Sequence, residues 1–473
     1  MGDGSINPSL HEDLPGFLES LRDDGDLLEI TDTVDTRFEI GAILRESGCG
    51  DFPAVVFTNP GGRAGQVVVG NVFGHRRRIA KVLGVDTANL TDTYLERIKL
   101  RVPPERVESA PVMAVQADRD GLDLLEALPA LIHHEKDSSP YLTCGVTLAR
   151  DPETGRQSMG LHRIQIQSKD RMGICLASPP LSHFVQKAGR LNRALEVATV
   201  IGPAPAVVLA AVTWCPEGDD KLEIAGGLCG APISVVRCRT VDLLAPARAQ
   251  YLIEGVIEPG ETAQEGVFGE SSGIYVQGAR SPVIRVRALS QSERPVYQAI
   301  QPWTSEDDNL FDLCYGSTLL DELRRKFGFV KDLHLISGTV GAKAVISVTE
   351  GRRPMVRSAL TALLTDKPGV KMAIAVNDDI DPRDPREVEW AIATRFQADR
   401  DLILLPGLQG SVIDPSAGPD GSACKVGIDA TFPVDRIEMY QRIGVSEKYR
   451  RRAVEILERA SDASRQLLER KRI

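Results

Sequence analysis

Hydrophobic and polar residues follow three successive patterns along the 473-residue chain. Over residues 14–100, helical spacing of apolar residues alternates with short Val-rich runs, which predicts a small α/β domain. Over residues 112–299, many Val- and Ile-rich runs separated by Gly and Pro predict a β-rich part, either a barrel or a sandwich. Helical and strand-like patterns alternate again over residues 318–405 and predict a second α/β domain. Spaced Ala, Ile and Leu predict an amphipathic terminal helix over residues 446–470.

These patterns predict an α/β multidomain fold with domains at 1–110, 111–310 and 311–473. The longest apolar run, residues 204–215, is too short to span a bilayer and predicts a buried strand. The predicted helices are 17–23, 79–83, 319–327, 357–364 and 386–398. The other predicted strands are 55–57, 67–69, 146–149, 164–166, 233–236, 283–286, 344–348 and 372–376.

Charge and cysteine content narrow the class of protein. The chain has 56 basic and 66 acidic residues, a formal charge of -10, which argues against a general binder of nucleic acid or anionic membranes. No basic segment followed by an apolar one opens the sequence, so we expect a cytoplasmic protein. The eight cysteines form no Cys-x-x-Cys pair, which favours reduced thiols.

Two carboxylates flank a glycine–aromatic–glycine turn, and they are the first candidates for chemistry. Glu265 and Glu270 enclose this turn, while Arg163 lies about a hundred residues upstream in a strand-like context. A guanidinium offers a planar fork for a substrate carboxylate, and one of two neighbouring acids can keep a proton. If the fold joins these segments, a Glu-Arg-Glu cluster results. An ordinary loop with a strand-edge arginine is the alternative interpretation.

Two further segments contain candidate functional residues. His133 and His134 have metal-site composition, but adjacent residues of an extended chain point in opposite directions, so we interpret them as part of a structural turn. Trp303, Glu306 and Asp307 follow a predicted strand and are candidates for the border of a substrate cavity.

Ordered motifs run along nearly the whole chain. They lie in residues 17–30, 69–74, 133–143, 151–155, 160–163, 225–230, 236–243, 254–255, 265–270, 414–416 and 425–431. In their order and spacing these motifs resemble the UbiD family of prenylated-flavin decarboxylases, and the first two are similar to the N-terminal domain of the family.

The resemblance implies a central split β-barrel that binds prenylated FMN, and a C-terminal α/β domain that forms a homodimer or a larger homo-oligomer. It implies reversible, non-oxidative decarboxylation of an aromatic, heteroaromatic or α,β-unsaturated acid. Arg163 would then engage the substrate carboxylate and the cofactor, Glu265 would hold the arginine, and Glu270 would donate the proton. His162, which would face the other side of the strand from Arg163, is a further candidate cofactor residue and would pack in the core or behind the residues that contact the cofactor.

One region departs from the family pattern. Members usually hold the flavin phosphate through a divalent metal such as Mn and through K, and the ligand positions here are occupied by Ser158, His183 and Lys221. Because a charged ammonium has no lone pair, Lys221 cannot ligate a cation. Our hypothesis is that Lys221 contacts the phosphate directly; the alternative is that Glu223, on the same side of a strand, replaces the missing acid. Lys425 aligns with a family lysine that approaches the phosphate.

The expected partners are a small carboxylic acid and a flavin prenyltransferase that supplies the cofactor, with no nucleic acid and no membrane. Two alternatives stay open. The enzyme works physiologically as a carboxylase, or the chain is a weakly active or non-catalytic flavin-binding or assembly subunit.

Overall fold

The computed structural model describes residues 12–470 except 64, 177, 350–352, 368, 412, 433–437 and 441–442, with side chains up to residue 460. Three larger sheets follow one another along this part of the chain. The predicted helices are confirmed, as are all the predicted strands except the one within 204–215. The mixed α/β multidomain fold is therefore the one that the sequence patterns indicated.

The first part consists of short alternating helices and strands. Its elements are α1 (Leu14–Asp23), β1 (Leu27–Ile30), α2 (Glu39–Ser47), β2 (Ala54–Phe57), β3 (Val67–Gly70), α3 (Arg76–Leu83) and α4 (Leu90–Arg97). Helix α1 begins where Asp13 caps its first turn and Leu14-Pro15 opens it, and it buries its Leu14–Phe17–Leu18–Leu21 stripe. The periodically spaced apolar residues of this segment thus form the buried face of a helix.

The middle part is dominated by strands. Its elements up to the two central helices are β4 (Glu105–Arg106), β5 (Val115–Asp118), α5 (Leu124–Ala127), β6 (Tyr141–Leu142), β7 (Val146–Arg150), β8 (Gln157–Leu161), β9 (Ile164–Ser168), β10 (Arg171–Ile174), α6 (Leu181–Arg190), β11 (Leu195–Ile201), α7 (Pro205–Val212) and α8 (Lys221–Cys229). The following strands are β12 (Ser234–Arg237), β13 (Leu244–Pro246), β14 (Tyr251–Gln264), β15 (Val267–Gly269), β16 (Tyr275–Gln277), β17 (Arg280–Gln291) and β18 (Val296–Gln298). Strand β18 pairs with β3, so the middle segment contributes the last strand to the first sheet.

The last part returns to alternating elements. They are α9 (Ser305–Phe311), α10 (Ser317–Lys326), β19 (Val330–Leu335), β20 (Lys343–Val348), α11 (Arg353–Asp366), β21 (Met372–Asn377), α12 (Pro385–Arg395), α13 (Ala398–Asp401), β22 (Leu402–Gln409), β23 (Ser422–Asp429) and α14 (Glu447–Arg470). The five-stranded sheet has the order β19-β20-β21-β23-β22. Helix α14 confirms the predicted terminal helix, and its described side chains are exposed.

The topology of the central nine-stranded sheet determines where its two edges lie. The strand order is β6-β9-β10-β17-β14-β11-β7-β8, with β5 beside β17, and the ladder is an open path among the described residues. Only His162 and Arg163 separate β8, at one edge, from β9, near the other edge. Because three residue steps span at most about 11 Å, the sheet must curl until its edges are side by side. Arg163 lies in this seam.

One sequence prediction is wrong: residues 204–215 do not form a strand. They contain α7, whose residues Pro205–Ala211 are all buried. A helix that is buried on every side shows no amphipathic period, so a short apolar run does not distinguish it from a buried strand. Pro205 at the start of the helix was the local signal for the correct assignment.

The second wrong assumption concerns residues 221–223. Lys221 and Glu223 lie in the first turn of α8, capped by Asp220, and not in a strand. Residues two apart in a helix point about 200° apart, so the two side chains do not share a side. The argument that Glu223 takes the place of Lys221 therefore fails.

Among the residues that the structure describes, no helix is both long enough and apolar enough to cross a bilayer.

Candidate active site

The seam of the central sheet brings Arg163 against the two predicted acids. Arg163 Nε lies 2.7 Å from Glu265 Oε1, and Nη2 lies 3.1 Å from Glu265 Oε2. Nη1 donates to Glu270 Oε2 in a short contact. Arg163 lies about a hundred positions before the two acids in the sequence, yet its guanidinium joins both carboxylates. The predicted Glu-Arg-Glu cluster is thus present in the fold.

The three members of the cluster differ in their exposure. The Glu265 side chain is 1% exposed, Arg163 is 21% exposed and Glu270 is 15% exposed. Glu265 is therefore the buried member of the cluster, while the side chains of Arg163 and Glu270 remain partly accessible to solvent. Glu265 is held in turn by its backbone N–H, which donates to Ala279 O at 3.1 Å, and by Ser281 Oγ at 3.4 Å.

Glu270 occupies the start of a hairpin turn. Strands β15 and β16 pair only with each other among the described strands, and Glu270 opens the turn between them. Its N–H donates to Ile274 O at 2.9 Å, and its Oε1 accepts from Ser271 N at 3.0 Å. One carboxylate oxygen therefore contacts the turn, and the other contacts the arginine.

The electrostatic environment keeps Arg163 charged. Burial alone would lower the pKa of Arg163, but hydrogen bonds to Glu265 and the nearby acids raise it above its ordinary value. The Phe268 ring lies with its centroid 5.4 Å from the guanidinium carbon and 4.4 Å from the Tyr141 ring. Burial also raises the pKa of the Cys175 thiol, which the charge of Arg163 opposes.

A turn upstream of the sheet supports the segment between the two acids. Asp137 Oδ1 accepts from Gly269 N at 2.8 Å, and Ser138 N donates to Val267 O at 3.0 Å. Gln165 Nε2 in turn donates to Ser138 Oγ at 2.9 Å. These contacts fix β15 beside β9, so the turn at 133–138 is a scaffold for the acidic segment.

His133 and His134 are part of that scaffold. His133 Nδ1 lies 2.8 Å from Gln301 Oε1, and His134 Nε2 lies 2.9 Å from Gln301 Nε2. Burial lowers the pKa of His133 to about 4, so the ring is neutral near pH 7. Both histidines thus hydrogen-bond to one amide side chain, in agreement with the structural role that we predicted.

The predicted cavity-border residues lie in different surroundings. Glu306 is buried and accepts hydrogen bonds from Asn71 N and Phe73 N, at 2.9 and 3.0 Å, so it fastens the first part of the chain to the last. Trp303 is 43% exposed, and its N–H donates to Asp307 Oδ2 at 2.7 Å. Only Trp303 and Asp307 lie toward the turn that carries Glu270.

The three positions where the family pattern expects metal ligands do not form a metal site. Ser158 Oγ donates to Asp219 O at 3.1 Å, and His183 Nδ1 lies 3.6 Å from Glu217 Oε2 on a partly exposed surface. In the described part of the chain, no group of three or more His, Cys, Asp or Glu residues is arranged to hold a metal ion. The donor set therefore does not fit a divalent cation.

Lys221 and His162 form a buried pair of nitrogen groups. Lys221 is 5% exposed, and its Nζ donates to Ala211 O at 2.7 Å. Burial and, to a smaller extent, the neighbouring charge of Lys221 lower the pKa of His162 to about 4. His162 Nε2 is buried and has no hydrogen-bond partner in the described residues. An unused nitrogen beside a buried ammonium fits an anionic or hydrogen-bonding ligand.

Lys425 lies on the last sheet. Its side chain is buried, and Nζ donates to Leu364 O and Lys367 O, each at 2.8 Å, at the C-terminal end of α11. These contacts join β23 to α11, as expected of a cation near the last carbonyls of a helix. Its predicted approach to a cofactor phosphate stays a prediction.

Sequence reasoning missed several residues that build the site. Phe268 was seen only as the aromatic residue of the turn, and its sequence position between Gly266 and Gly269 was the available signal. Asp137 and Gln165 gave no local signal, because their partners are distant in sequence.

Comparison with protein-family models finds three successive matches. Residues 18–98, 105–304 and 309–430 match the N-terminal, Rift-related and C-terminal domains of 3-octaprenyl-4-hydroxybenzoate carboxy-lyase. The matched segments cover most of the chain and include every member of the Glu-Arg-Glu cluster.

Two curated relatives are decarboxylases. The anhydromevalonate phosphate decarboxylase of Methanothermobacter thermautotrophicus is 31% identical over 91% of this chain and 99% of its own. A phenolic acid decarboxylase of Streptomyces sp. is 30% identical over 90% of this chain and 93% of its own.

Two solved structures are similar to this chain in both sequence and fold. The UbiD-class enzyme HmfF from Pelotomaculum thermopropionicum, in complex with FMN, is 36% identical with a TM-score of 0.87, covering 91% of this chain and 97% of that one. An evolved dimeric form of HmfF, in complex with prFMN, is 34% identical with a TM-score of 0.84, covering 92% and 97%.

Proposed function

The chain belongs to the UbiD family and is a UbiD-like carboxy-lyase, and from this premise we propose that it decarboxylates an aromatic, heteroaromatic or α,β-unsaturated acid reversibly with prenylated FMN. The observation that carries the proposal is the two-point hydrogen bond of Glu265 to Arg163, with Glu270 on the third nitrogen. This cluster combines a fixed cation with an acid that remains accessible. The proposed reaction uses the cation to bind the substrate carboxylate and the acid to supply a proton.

Arg163 engages the carboxylate of the substrate. A guanidinium held by a buried Glu265 cannot rotate freely, so its remaining donors keep one direction for a second carboxylate. Arg163 stays protonated and positively charged, because its pKa is raised above the ordinary value. Since the guanidinium is partly buried, its attraction for an anion is stronger than in water.

Glu270 supplies the proton. When the bond from the substrate carbon to its carboxylate breaks, carbon dioxide leaves and the electron pair must be replaced by a bond to hydrogen. The Glu270 carboxyl delivers this proton to the carbon, and a proton from solvent restores the acid. In the carboxylation direction the same carboxylate accepts the proton. Partial exposure of Glu270 permits this exchange.

The cofactor would lie in the curled central sheet, which we propose to be the split β-barrel of the family. When bound, prenylated FMN supplies an electron sink for the developing carbanion. Arg163 lies in the seam, while Lys221 and His162 provide the buried nitrogen groups for the phosphate end. Lys425 is the remaining candidate for a phosphate contact.

No step of this proposal depends on a divalent metal or on K. Ser158 and His183 are engaged elsewhere, and Lys221 brings a positive charge of its own. A lysine is a compact point charge that binds phosphate well, so we propose that it takes over the role of the metal. The assembly we propose is a homodimer or a larger homo-oligomer, with a flavin prenyltransferase as the source of cofactor.

A second candidate function is a weakly active or non-catalytic flavin-binding subunit. The altered positions Ser158 and Lys221 favour this alternative, whereas the complete Glu-Arg-Glu cluster favours catalysis. The test is a carbon dioxide release assay on protein co-expressed with a flavin prenyltransferase, offered a panel of phenolic, furanoic and α,β-unsaturated acids. We expect release from at least one class of acid, and none from protein without the modified flavin. Tightly bound prenylated FMN without release from any acid would favour the subunit.

A further inference from the structure

The hairpin that carries Glu270 is too small to determine the position of this residue by itself. Strands β15 and β16 have three residues each and pair only with each other in the described sheets. An isolated two-stranded hairpin is marginally stable in water. Asp137 supports the first strand through Gly269, but the turn at 270–274 lies beyond that contact. A second support is needed to fix the carboxylate against Arg163.

Trp303 lies directly against this turn. A side-chain carbon added to Gly273 would be 2.7 to 3.1 Å from three atoms of the indole ring, so the glycine backbone rests on the ring. Gly273 has φ +78°, where other residues are strained, and its N–H donates to Glu270 O at 2.9 Å. The indole therefore touches the residue that closes the Glu270 turn.

Residues from the first and last parts of the chain lie against the indole ring of Trp303. The guanidinium carbon of Arg45, in α2, lies 3.8 Å from the ring centroid, a cation–π contact. Gly338, in the loop after β19, approaches Trp303 Nε1. Trp303 itself has φ +61°, an uncommon conformation for a large residue, which the surrounding structure must impose. Trp303 is thus a contact point for segments of all three parts.

Asp307 lies between the same tryptophan and the turn. Its Oδ2 accepts from Trp303 N at 2.7 Å, a bond that an acid in the first turn of a helix commonly makes. Burial raises the pKa of Asp307 to about 7, and the side chain of Ser271, close to the same carboxylate, opposes this rise. The backbone N–H of Ser271 donates to Glu270 Oε1 at 3.0 Å. Asp307 therefore reaches the Glu270 carboxylate through one residue.

We propose that Trp303 and Asp307 are positioning residues for Glu270, holding its turn so that the carboxylate meets Arg163. The indole supports the backbone of the turn, and the Asp307 carboxylate orients Ser271. This inference rests on the proposed role of Glu270 as the proton donor. It assigns a function to two residues that lie outside the Glu-Arg-Glu cluster.

The test is a double-mutant cycle on the full-length, flavin-loaded protein. Wild type, Asp307→Asn, Glu270→Gln and the double variant are compared by kcat, KM and flavin content, with the acid found in the release assay. We expect Asp307→Asn to lower kcat by about tenfold or more, with KM and flavin content nearly unchanged. In the Glu270→Gln background the same change should have little further effect, since it acts through Glu270. Asp384→Asn is the matched control, because Asp384 caps α12 through Arg386 N and does not contact the turn.

A second measurement needs no substrate. Amide hydrogen exchange of the peptide that contains residues 270–274 should accelerate in Asp307→Asn and in Trp303→Leu. It should not accelerate in Trp390→Leu, which removes another tryptophan stacked on an arginine.

The outcomes separate the two claims. Asp307→Asn within twofold of wild type, with unchanged exchange of the turn and an inactive Glu270→Gln, would overturn the positioning role alone. Equal loss on Asp307→Asn in both backgrounds would do the same. A fully active Glu270→Gln would overturn the proposed proton donor and, with it, this inference.

Discussion

Glu265 binds Arg163 through both carboxylate oxygens, at 2.7 Å from Nε and 3.1 Å from Nη2. The acid follows the end of β14, and the arginine lies in the two-residue link between β8 and β9. Because the carboxylate is almost fully buried, the pair fixes the direction of the guanidinium as well as its charge. The remaining nitrogen then faces Glu270.

Replacement of Glu265 by glutamine should destabilise the fold. The change leaves Arg163 without its buried counter-charge, and we expect the free energy of unfolding to fall by about 1–3 kcal/mol. Denaturant titration measures this difference. Glu261→Gln is the matched control. Glu261 also pairs with arginine, but its partners Arg171 and Arg285 have side chains that are 45% and 52% exposed, so a loss of at most about 1 kcal/mol is expected. Equal losses in both variants would contradict the special role of Glu265.

A methyl group at Gly278 should displace Glu265 without removing any functional group. A side-chain carbon there would lie 2.5 Å from Glu265 Cβ, which cannot move aside easily. We therefore expect Gly278→Ala to lower kcat by about tenfold or more, since a small misplacement of a catalytic group is costly. Gly121→Ala, where the added carbon meets nothing within 4 Å, should leave turnover unchanged. Normal turnover in Gly278→Ala would show that the position of Glu265 is not critical.

The sequence predicted the members of the cluster but not how the fold joins them. Arg163, Glu265 and Glu270 were recognised from motif and resemblance, and their contacts are as expected. The assumption of a strand at 221–223 was wrong because Asp220, a helix cap, is also a common turn residue. The helix α7 is buried on every side, so its sequence has no hydrophobic periodicity that would predict a helix. Asp137, Trp303 and Asp307 act through contacts distant in sequence, which a single sequence does not reveal.

Acid should destabilise the protein through His133. The pKa of this buried ring is lowered to about 4, whereas an unfolded histidine titrates near 6.5. Between these values the unfolded chain binds the proton and the folded chain does not, so stability falls as the pH falls. From pH 7 to pH 5 the loss for one such histidine is about 2 kcal/mol. Urea titrations at both pH values should show a smaller loss in His133→Gln than in wild type, and identical losses would contradict the assignment.

Lys221 should determine how tightly the phosphate end of the flavin is held. We expect Lys221→Met to weaken FMN binding by about tenfold or more, because a buried charge for the phosphate is lost. Equilibrium dialysis against FMN measures the affinity. Lys169→Met, at an exposed lysine, is the control and should bind FMN normally.

Metal content provides the complementary evidence on the same hypothesis. Flavin-loaded protein should contain no stoichiometric divalent ion, since Lys221 carries the charge. A divalent ion bound to each chain, together with unchanged FMN affinity in Lys221→Met, would contradict the direct lysine contact.

The most direct test of the central claim is deuterium transfer by Glu270→Gln. Flavin-loaded wild type and variant are incubated in deuterated buffer with the decarboxylated product and with the acid, and deuterium in the product and release of carbon dioxide are measured. Glu293→Gln, at an exposed acid, is the control. With equal flavin content, Glu270→Gln should lose both activities by about a hundredfold or more, because the proton donor is absent. Transfer and release at the wild-type rate would contradict Glu270 as the proton donor.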